Sequence, residues 1–396
     1  MAIQVGKSFQ NLLTTEKQVK KYMKITKLDS TPTDPREFDL PADFKPENIE
    51  DIVEIFETPL TGSYNWDYTI ADNRLKKLYE LGKKLNWDGS IDLDWGTHIA
   101  KDEYPIKAEL LARMEGPLSM LPDDQKLEYL RHDQAWALSQ FLHGEQGALL
   151  VASQLVSCAP TYQAKLYAAS QTFDEARHVE VFNRYIQQVH GMEYPINKNL
   201  KSLLDKILTD PRWDLKFIGM QIIIEGLALA AFQTMKETSN CPLLRQLVHY
   251  VIRDEARHVT FGVNYLEEFL QTLSEEELEE RAMFCFEACV VMRDRIMNTE
   301  LPAKYFNMPE DEIREMIAND QTNDEFRNLL FTRILPNLKR IGLLTDKVKP
   351  LYDELGLLKY ENADSDFEID WAELDKPLED KDEIDQQAQS GLANHF

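Results

Sequence analysis

The pentapeptide Asp-Glu-Ala-Arg-His occurs twice in the chain, at Asp174–His178 and at Asp254–His258. In each copy a carboxylate stands three residues before an imidazole, so on a helix Glu175 and His178 lie on one face. Both groups are metal ligands, and oxygen and imidazole donors suit ions such as iron and manganese. Two such pairs that face each other would supply half of a dinuclear metal site.

Two further glutamates complete the pattern through their spacing. Glu145 lies 30 residues before Glu175 (175 − 145), and Glu225 lies 30 residues before Glu255 (255 − 225). The whole set repeats at an offset of 80 residues (225 − 145), and an interval of 30 residues accommodates a helical hairpin. Each lone glutamate is therefore predicted to face its pair across a hairpin, and the predicted metal ligands are Glu145, Glu175, His178, Glu225, Glu255 and His258.

Glu225 stands in an almost wholly apolar stretch, Ile218–Phe232, which predicts a buried helix. A bare carboxylate there would cost several kcal/mol unless it is neutralised or paired. Metal coordination removes that cost, and the alternative is an ion pair with Arg253 or Arg257. Four carboxylates and two neutral imidazoles balance two divalent ions, and oxygen-rich ligation favours iron or manganese over zinc.

This pattern resembles the ferritin-like di-iron carboxylate superfamily, in which two bundle helices each carry one Glu and two others each carry Glu-x-x-His. The motif style is closest to the hydroxylase subunits of bacterial multicomponent monooxygenases and to oxygenases similar to the ribonucleotide reductase small subunit. The resemblance covers about Gln134–Leu270. It implies an all-α fold: a ferritin-like four-helix bundle with a di-metal core, extended by flanking helices.

The resemblance also implies the cofactors and the groups that surround them. It implies two iron ions that change between Fe2+ and Fe3+, with a Mn/Fe pair as the alternative, and dioxygen as cosubstrate. Asp174 and Asp254 would accept hydrogen bonds crosswise from the two ligand histidines, because metal-bound histidines generally donate their second N–H to a carboxylate. Arg177 and Arg257 would neutralise these aspartates.

The predicted function is that of a dioxygen-activating, non-haem di-iron oxygenase that hydroxylates or otherwise oxidises a small, largely apolar substrate. Electrons would come from a separate ferredoxin or reductase, because the sequence contains no flavin or iron–sulfur motif. Residues one helical turn from a ligand are candidates for the substrate pocket, although ordinary core packing is the more common role of such residue types. They are Phe141, Leu142, Ala148, Gln171, Phe182, Gln221, Ala228 and Leu229.

At three positions the chain differs from particular members of the superfamily. Phe182 stands where the ribonucleotide reductase small subunit has its radical-bearing tyrosine, which disfavours that function. Val251 stands where arylamine N-oxygenases have an additional histidine ligand, which disfavours a standard member of that group. Leu229 replaces a threonine of the methane and toluene hydroxylases. The alternatives are a desaturase or an N-oxygenase, and, in a different class, an iron oxidation or storage protein similar to ferritin or rubrerythrin.

The composition excludes some partners and compartments. A net charge of −25 argues against nucleic acid as a partner. The longest apolar run, Ile218–Phe232, is too short and too polar for a membrane span, and the amino-terminal residues do not resemble a signal peptide. The four scattered cysteines predict reduced thiols and a cytoplasmic location. A homodimer is a further expectation.

Proline positions and charge divide the chain. We expect an irregular and helical arm at 1–122, the di-iron bundle at 123–300, carboxy-terminal helices at 301–360 and an acidic tail at 361–396. Prolines at the gaps predict where helices begin. Helices are predicted at about 16–23, 71–85, 124–156, 161–190, 213–238, 242–271, 275–298, 311–318, 324–341 and 345–355.

Overall fold

The computed structural model describes residues 54–69, 73–112, 117–295, 298–319 and 331–363. Within these ranges all regular secondary structure is helical, apart from one isolated bridge between Ile106 and Ser239. The predicted short helix near residue 20, part of the predicted helix 324–341 and the tail beyond residue 363 lie outside the described residues.

The all-α, ferritin-like bundle expected from the motifs is confirmed. Its long helices are α1 (Asn73–Lys84), α2 (Asp123–Cys158), α3 (Tyr162–Tyr185), α4 (Lys198–Thr209), α5 (Trp213–Thr238), α6 (Pro242–Phe269) and α7 (Glu275–Arg295). The shorter helices that follow are α8 (Glu300–Phe306), α9 (Glu310–Asn319), α10 (Ile334–Arg340) and α11 (Lys349–Glu354). Helices α2 and α3 form one hairpin and α5 and α6 form another, and the two hairpins pack together.

Local sequence explains where the bundle helices begin. Asp123 and Asp124 stand in the first turn of α2, where negative charge stabilises the positive end of the helix dipole. The Thr161 side chain caps α3 by accepting a hydrogen bond of 3.3 Å from the Ala164 N–H. Pro242 begins α6, where its missing N–H costs nothing. These starts place all four bundle helices within one or two residues of their predicted positions.

Helix α4 was absent from the sequence-based expectations, although its signals are clear in retrospect. The Asn197 side chain caps it by accepting from the Asn199 and Leu200 N–H groups at 2.9 and 3.4 Å. Its apolar residues recur at the spacing of one helix face, and all are buried: Leu200, Leu203, Leu204, Ile207 and Leu208. Helix α4 packs between α2 and α7 and closes one side of the bundle.

Two widened, π-helical turns interrupt the regular geometry of the bundle helices. One continues α3 at Ile186–His190, and the other occupies Ile218–Ile224 within α5, directly before Glu225. Such turns insert an extra residue, change which side chains face inward and often occur at functional sites. Gly262 on α6 allows close packing here, because a Cβ on it would lie only 2.6 Å from the Cβ of Gln221.

Helix α5 is long and apolar enough to cross a membrane by length and composition alone. In the fold, however, 89% of its most apolar 18-residue window is buried inside the protein. A helix that is apolar on all sides is expected at the centre of a large soluble core as well as in a lipid bilayer. Burial by the surrounding helices therefore explains why α5 is apolar on all sides.

The largest cluster of buried apolar side chains runs from Leu75 on α1 to Leu357, beyond α11. Helices outside the four-helix bundle thus share its core instead of forming separate layers. A second cluster surrounds Phe182 and Leu229, and a third joins the start of α2 to α8. The metal-ligand motifs are consequently embedded at the centre of a continuous hydrophobic interior.

Two buried histidines lie away from the ligand motifs, at the start of α2 and the end of α3. Burial lowers the pKa of His132 to about 4, and burial together with Arg131 and His132 lowers the pKa of His190 to about 3. Neither ring nitrogen of His190 has a hydrogen-bond partner among the described residues. Both imidazoles are therefore neutral in the folded protein at physiological pH.

These histidines should make the protein sensitive to mild acid. Their folded pKa values lie below the ordinary 6.5, so the unfolded chain binds more protons and stability falls as pH drops from about 6.5 towards 4. We expect His190→Leu to raise the free energy of unfolding by about 1 kcal/mol at pH 7 and by more at pH 5, because it removes an unpartnered buried polar group. Denaturant titrations at both pH values measure this.

The exposed His98 provides the control for this substitution. His98→Leu should leave the difference in stability between pH 7 and pH 5 as it is in the unmodified protein. Equal pH sensitivity of the His190→Leu and His98→Leu variants would contradict the role given to His190.

Candidate metal centre

The bundle brings together all six residues that the sequence predicted as metal ligands. Glu145 comes from α2, Glu175 and His178 from α3, Glu225 from α5, and Glu255 and His258 from α6. None of the six is more than 5% exposed. Residues separated by up to 113 positions (258 − 145) therefore form one enclosed cluster of carboxylates and imidazoles.

Glu175 and Glu255 each extend one oxygen towards each histidine. Oε2 of Glu175 lies 3.4 Å from Nδ1 of His178, and its Oε1 lies 3.1 Å from Nδ1 of His258. Oε1 of Glu255 lies 3.2 Å from Nδ1 of His178, and its Oε2 lies 3.6 Å from Nδ1 of His258. This is the geometry of two carboxylates that bridge a pair of neighbouring sites.

The two lone glutamates lie at opposite ends of the bridging pair. Oε2 of Glu145 approaches Nδ1 of His178 to 3.1 Å, whereas Glu225 groups with Glu175 and His258. Two ligand groups result: Glu145, Glu175, His178 and Glu255 form one, and Glu175, Glu225 and His258 form the other. Within each group the ligand atoms lie within 4.8 Å of one another, as coordination of a single ion requires.

The electrostatics of this cluster favour the binding of cations. Burial, together with the charge of Glu255, raises the pKa of Glu145 well above its usual range. Burial also raises the pKa of Glu225, and the charge of Glu255 adds to the effect although His258 opposes it. Burial alone would lower the pKa of His258, but the carboxylate of Glu175 overrides it and raises that pKa well above the ordinary value. Crowded carboxylates are hence stable here only with protons or metal ions between them.

Unpartnered atoms test whether metal ions fit. Oε2 of Glu175, Glu225 and Glu255 and Nδ1 of His258 are buried and have no hydrogen-bond partner among the described residues. Buried polar atoms are normally paired, and metal coordination would satisfy these four atoms together. Four carboxylates also balance the charge of two divalent ions, and the oxygen-rich donor set suits iron or manganese. The residues present therefore fit a dinuclear centre.

A buried ion-pair network holds the far side of both imidazoles. Nε2 of His178 lies 3.1 Å from Oδ2 of Asp254, and Nε2 of His258 lies 3.3 Å from Oδ2 of Asp174. Each aspartate thus contacts the histidine of the other motif, with the crossed geometry that the sequence analysis anticipated. An N–H at Nε2 that donates to the aspartate leaves the Nδ1 lone pair directed at the carboxylate cluster.

Two arginines neutralise these aspartates, and both arginines contact both of them. Arg177 donates from Nη2 to Asp174 and, at 2.8 Å, to Asp254. Arg257 donates from Nη2 to Asp254 and, at 3.0 Å, to Asp174. Burial raises the pKa of Asp254, but Arg257 and His178 overcome this and hold it well below its usual range. The two aspartates and two arginines therefore form a charge-balanced network beneath the histidines.

The end of α1 adds two residues that the sequence analysis did not identify. The buried indole of Trp87 donates from Nε1 to Oδ2 of Asp254 at 2.8 Å, and its ring lies 4.7 Å beneath the Arg177 guanidinium. Asn86 accepts from Nη1 of Arg177 at 2.7 Å. No spacing rule links Trp87 to a motif 167 residues away (254 − 87), and only an aromatic and amide pair at the end of a predicted helix pointed to it.

A cavity of about 150 Å³ reaches the metal centre from the side of Glu145, Glu225 and Glu255. Helix α2 lines it with Trp136, Ala137, Gln140, Phe141, Gly144 and Ala148. Helix α5 contributes Ile224, Leu227, Ala228 and Ala231, and α7 contributes Met292. The three glutamates are at the inner end, and the half-buried Trp136, Ala137 and Ala231 are near solvent.

The predicted apolar residues of the substrate pocket divide into two groups. Phe141, Ala148 and Ala228 line the cavity, as described above. Leu142, Phe182 and Leu229 instead pack in the second apolar cluster. The sequence analysis did not include the other lining residues besides the three glutamates: Trp136, Ala137, Gln140, Gly144, Ile224, Leu227, Ala231 and Met292.

The predicted glutamines Gln171 and Gln221 lie beside the ligands, outside the cavity lining. Nε2 of Gln171 donates to Oε1 of Glu225 at 2.7 Å and to Oε1 of Glu175 at 3.1 Å. Gln221 donates from Nε2 to Oε1 of Gln171 at 3.4 Å. Both side chains are fully buried, so their geometry orients carboxylates of the centre.

One protein-family model matches residues 70–342 of the chain, and that family is described as P-aminobenzoate N-oxygenase AurF. The matched range contains the six clustered residues, the network beneath the histidines and the cavity lining given above. No curated protein sequence matches the chain significantly.

Solved structures of R2-like ligand-binding oxidases are also similar to the chain. A single-residue variant with an anaerobically reconstituted Mn/Fe cofactor is 18% identical, covers 68% of this chain and 93% of its own, and gives a TM-score of 0.47. A protein with an aerobically reconstituted Mn/Fe cofactor is 18% identical, covers 69% of this chain and 93% of its own, and gives a TM-score of 0.46.

Proposed function

Because the chain belongs to the P-aminobenzoate N-oxygenase AurF family, we propose that it inserts oxygen from dioxygen into a small, largely apolar substrate. Membership makes the chain an oxidoreductase, a di-iron oxygenase of the ferritin-like fold. The single observation that carries the proposal is the cavity whose inner end is formed by Glu145, Glu225 and Glu255. A substrate in that cavity lies directly against the ligand cluster.

The ligand set of the proposal follows the two groups in the structure. Glu145 and His178 would hold one ion, Glu225 and His258 would hold the other, and Glu175 belongs to both groups. Glu255 would be the second shared ligand, because its two oxygens lie 3.2 and 3.6 Å from Nδ1 of His178 and of His258. When bound, two redox-active ions supply the two-electron chemistry that splits dioxygen. Two iron ions are the expected occupants, because the donors are mainly carboxylate oxygens.

The protein itself would contribute orientation and exclusion of water. Asp174 and Asp254 hold the imidazoles in the tautomer whose Nδ1 is free for coordination. Gln171 restrains two of the carboxylates, and the buried apolar helices keep bulk water from the centre. These residues would remain close to the same positions during turnover, so reorganisation would cost little.

N-oxygenation is the first chemistry to test, because it is the activity in the family's description. Hydroxylation of carbon is the second, and either would proceed as substrate plus dioxygen, two electrons and two protons to oxygenated product and water. We propose that a separate ferredoxin or reductase supplies the electrons, because the sequence contains no flavin or iron–sulfur motif. A cytoplasmic location suits the four free, buried cysteines, and a homodimer stays a prediction.

Val251 lies within the range that the family model matches. Its valine, in place of an additional histidine ligand, disfavours a standard arylamine N-oxygenase, so we propose that the chain is a member of the family without that ligand. Val251 is buried in the second apolar cluster, so the helix turn before Glu255 contributes packing there. The chain is thus a member of the family in which two lone glutamates and two Glu-x-x-His motifs supply six candidate metal ligands.

The test is oxygen insertion by the iron-loaded protein. After anaerobic reconstitution with ferrous iron, addition of dioxygen, a reductant and an aryl amine should give a product heavier by one oxygen atom. Glu225→Ala should lower the rate of product formation at least 100-fold, because it removes a carboxylate at the cavity's inner end. Mass spectrometry of the products and oxygen consumption measure this.

Glu237→Ala is the matched control, since Glu237 is exposed on the same helix α5. It should retain the unmodified rate. Uptake of many iron ions per chain with no oxidised organic product would contradict the proposed oxygenase and support iron storage.

A further inference from the structure

The cavity provides no positive charge to a substrate. Among the described residues that line it, none is lysine, arginine or histidine, and its charged groups are the three glutamates at the inner end. Gln140 is the remaining polar side chain, and both ends of its amide are engaged. Its Nε2 donates to the Pro195 carbonyl at 2.9 Å, and its Oε1 accepts from the Asn197 N–H at 2.6 Å.

The family's description names a substrate whose carboxylate is ionised at neutral pH. For oxidation at nitrogen, the amine must lie at the inner end, beside Glu145 and Glu225. The para carboxylate would then lie against the half-buried Trp136, Ala137 and Ala231. The lining there offers the Trp136 indole as its polar group and no cationic side chain. The carboxylate would therefore give up part of its hydration without gaining an ion pair.

The charge of the whole chain acts in the same direction. A net charge of −25 gives the chain an overall field that disfavours the approach of anions and leaves neutral molecules unaffected. The local lining and the overall field therefore agree. Both select against an anionic substrate independently of the metal chemistry.

The size of the cavity limits the substrate further. A cavity of about 150 Å³ lined by aliphatic and aromatic side chains accommodates a single benzene-sized ring. The small residues Ala137, Gly144, Ala228 and Ala231 create this space. A Cβ placed on Gly144 would meet no atom within 4 Å, which shows that this glycine faces open volume.

We infer that the substrate is an uncharged, single-ring aromatic molecule such as a neutral aryl amine, and that p-aminobenzoate is a poor ligand of this chain. This inference rests on the proposed function, because it assumes that the cavity is the substrate site. The inference goes beyond the proposed function because it attributes substrate specificity to the absence of a cationic side chain among the described lining residues and to the space beside Gly144.

The test compares p-toluidine with p-aminobenzoate, which differ only in a methyl group against a carboxylate. Calorimetric titration of the anaerobic, iron-loaded protein reports binding without turnover. We expect p-aminobenzoate to bind at least tenfold more weakly, with the ratio decreasing as salt screens the negative field. A ratio below ten at low salt would overturn the inference.

Two variants assign the binding to the cavity. Gly144→Leu should weaken p-toluidine binding at least tenfold, because the new side chain fills the open volume, and Gly144→Ala should have a smaller effect. Ala137→Arg should strengthen p-aminobenzoate binding at least threefold and leave p-toluidine within twofold. Unchanged p-toluidine binding in Gly144→Leu, or no gain for p-aminobenzoate in Ala137→Arg, would overturn the inference.

The titration also separates this inference from the proposed function. Iron content and product formation test the oxygenase and are independent of the heat of ligand binding. Binding of p-toluidine without oxygen insertion would remove the proposed function and leave the specificity of the cavity intact. Oxygen insertion with equal binding of both probes would do the reverse.

Discussion

Replacing Glu175 by alanine is expected to reduce metal binding from two ions per chain to fewer than one. Glu175 belongs to both ligand groups, and its two oxygens lie 3.4 Å from Nδ1 of His178 and 3.1 Å from Nδ1 of His258. Its removal takes one ligand from each ion and the bridge that holds the two together. Metal analysis after anaerobic loading and desalting gives the stoichiometry directly.

The lone glutamates should behave differently, which makes the stoichiometry diagnostic. Glu145 is in the first group alone and Glu225 in the second alone, so Glu145→Ala and Glu225→Ala should each retain about one ion. Glu180→Ala on the same helix as Glu175 is the control, because Glu180 is exposed. A Glu175→Ala protein that still binds two ions would refute the bridging role.

Replacing Asp254 by alanine should be the most destabilising single change in the network beneath the histidines. The fully buried Asp254 accepts hydrogen bonds from Trp87 and Arg177 and contacts the His178 imidazole and the Arg257 guanidinium. Its loss leaves two buried arginines to share Asp174. Breaking a buried charge pair in this way costs about 3–5 kcal/mol, because the remaining charge is uncompensated.

Two comparisons isolate the cause. Asp205→Ala breaks a contact of 2.8 Å with Lys201 that is equally short but lies at the surface, and it should cost less than about 1 kcal/mol. Asp254→Asn keeps the shape and an acceptor oxygen but loses the charge, so it should be intermediate. Denaturant unfolding of the metal-free proteins measures all three changes.

The metal readout keeps this prediction testable even if Asp254→Ala folds poorly. Asp254→Asn should weaken metal binding about 10–100-fold, because the group that orients His178 is altered. Equal stability losses for Asp254→Ala and Asp205→Ala would show that the network contributes no more than an exposed ion pair.

The helices of the bundle followed from the sequence because their signals are local. Proline and capping residues set the starts of α3 and α6, and apolar periodicity set their faces, so the predicted bounds differ from the observed ones by one or two residues. Helix α4 carried the same kind of signal, with Asn197 as its cap, and was overlooked. Its absence from the predictions was an omission and not a limit of the sequence.

The substrate cavity shows a real limit. A turn's distance from a ligand predicts Phe141 and Phe182 equally well, yet Phe141 lines the cavity and Phe182 packs in the second apolar cluster. The widened turn before Glu225 and the close approach of α7 decide which residues face the open volume. Helical spacing predicts neither feature, because a prediction from spacing assumes regular helices and treats each pair of residues in isolation.

The sequence by itself predicted the six candidate ligand residues and the helices that carry them. Helical geometry places Glu175 beside His178 whatever the neighbours do, and the repeated motif required a second such pair. Only the tertiary structure decided which aspartate meets which histidine, that Trp87, which follows α1, completes the network, and that the described residues lining the cavity include no lysine, arginine or histidine. Those contacts join residues far apart in the chain, and their geometry depends on how whole helices pack.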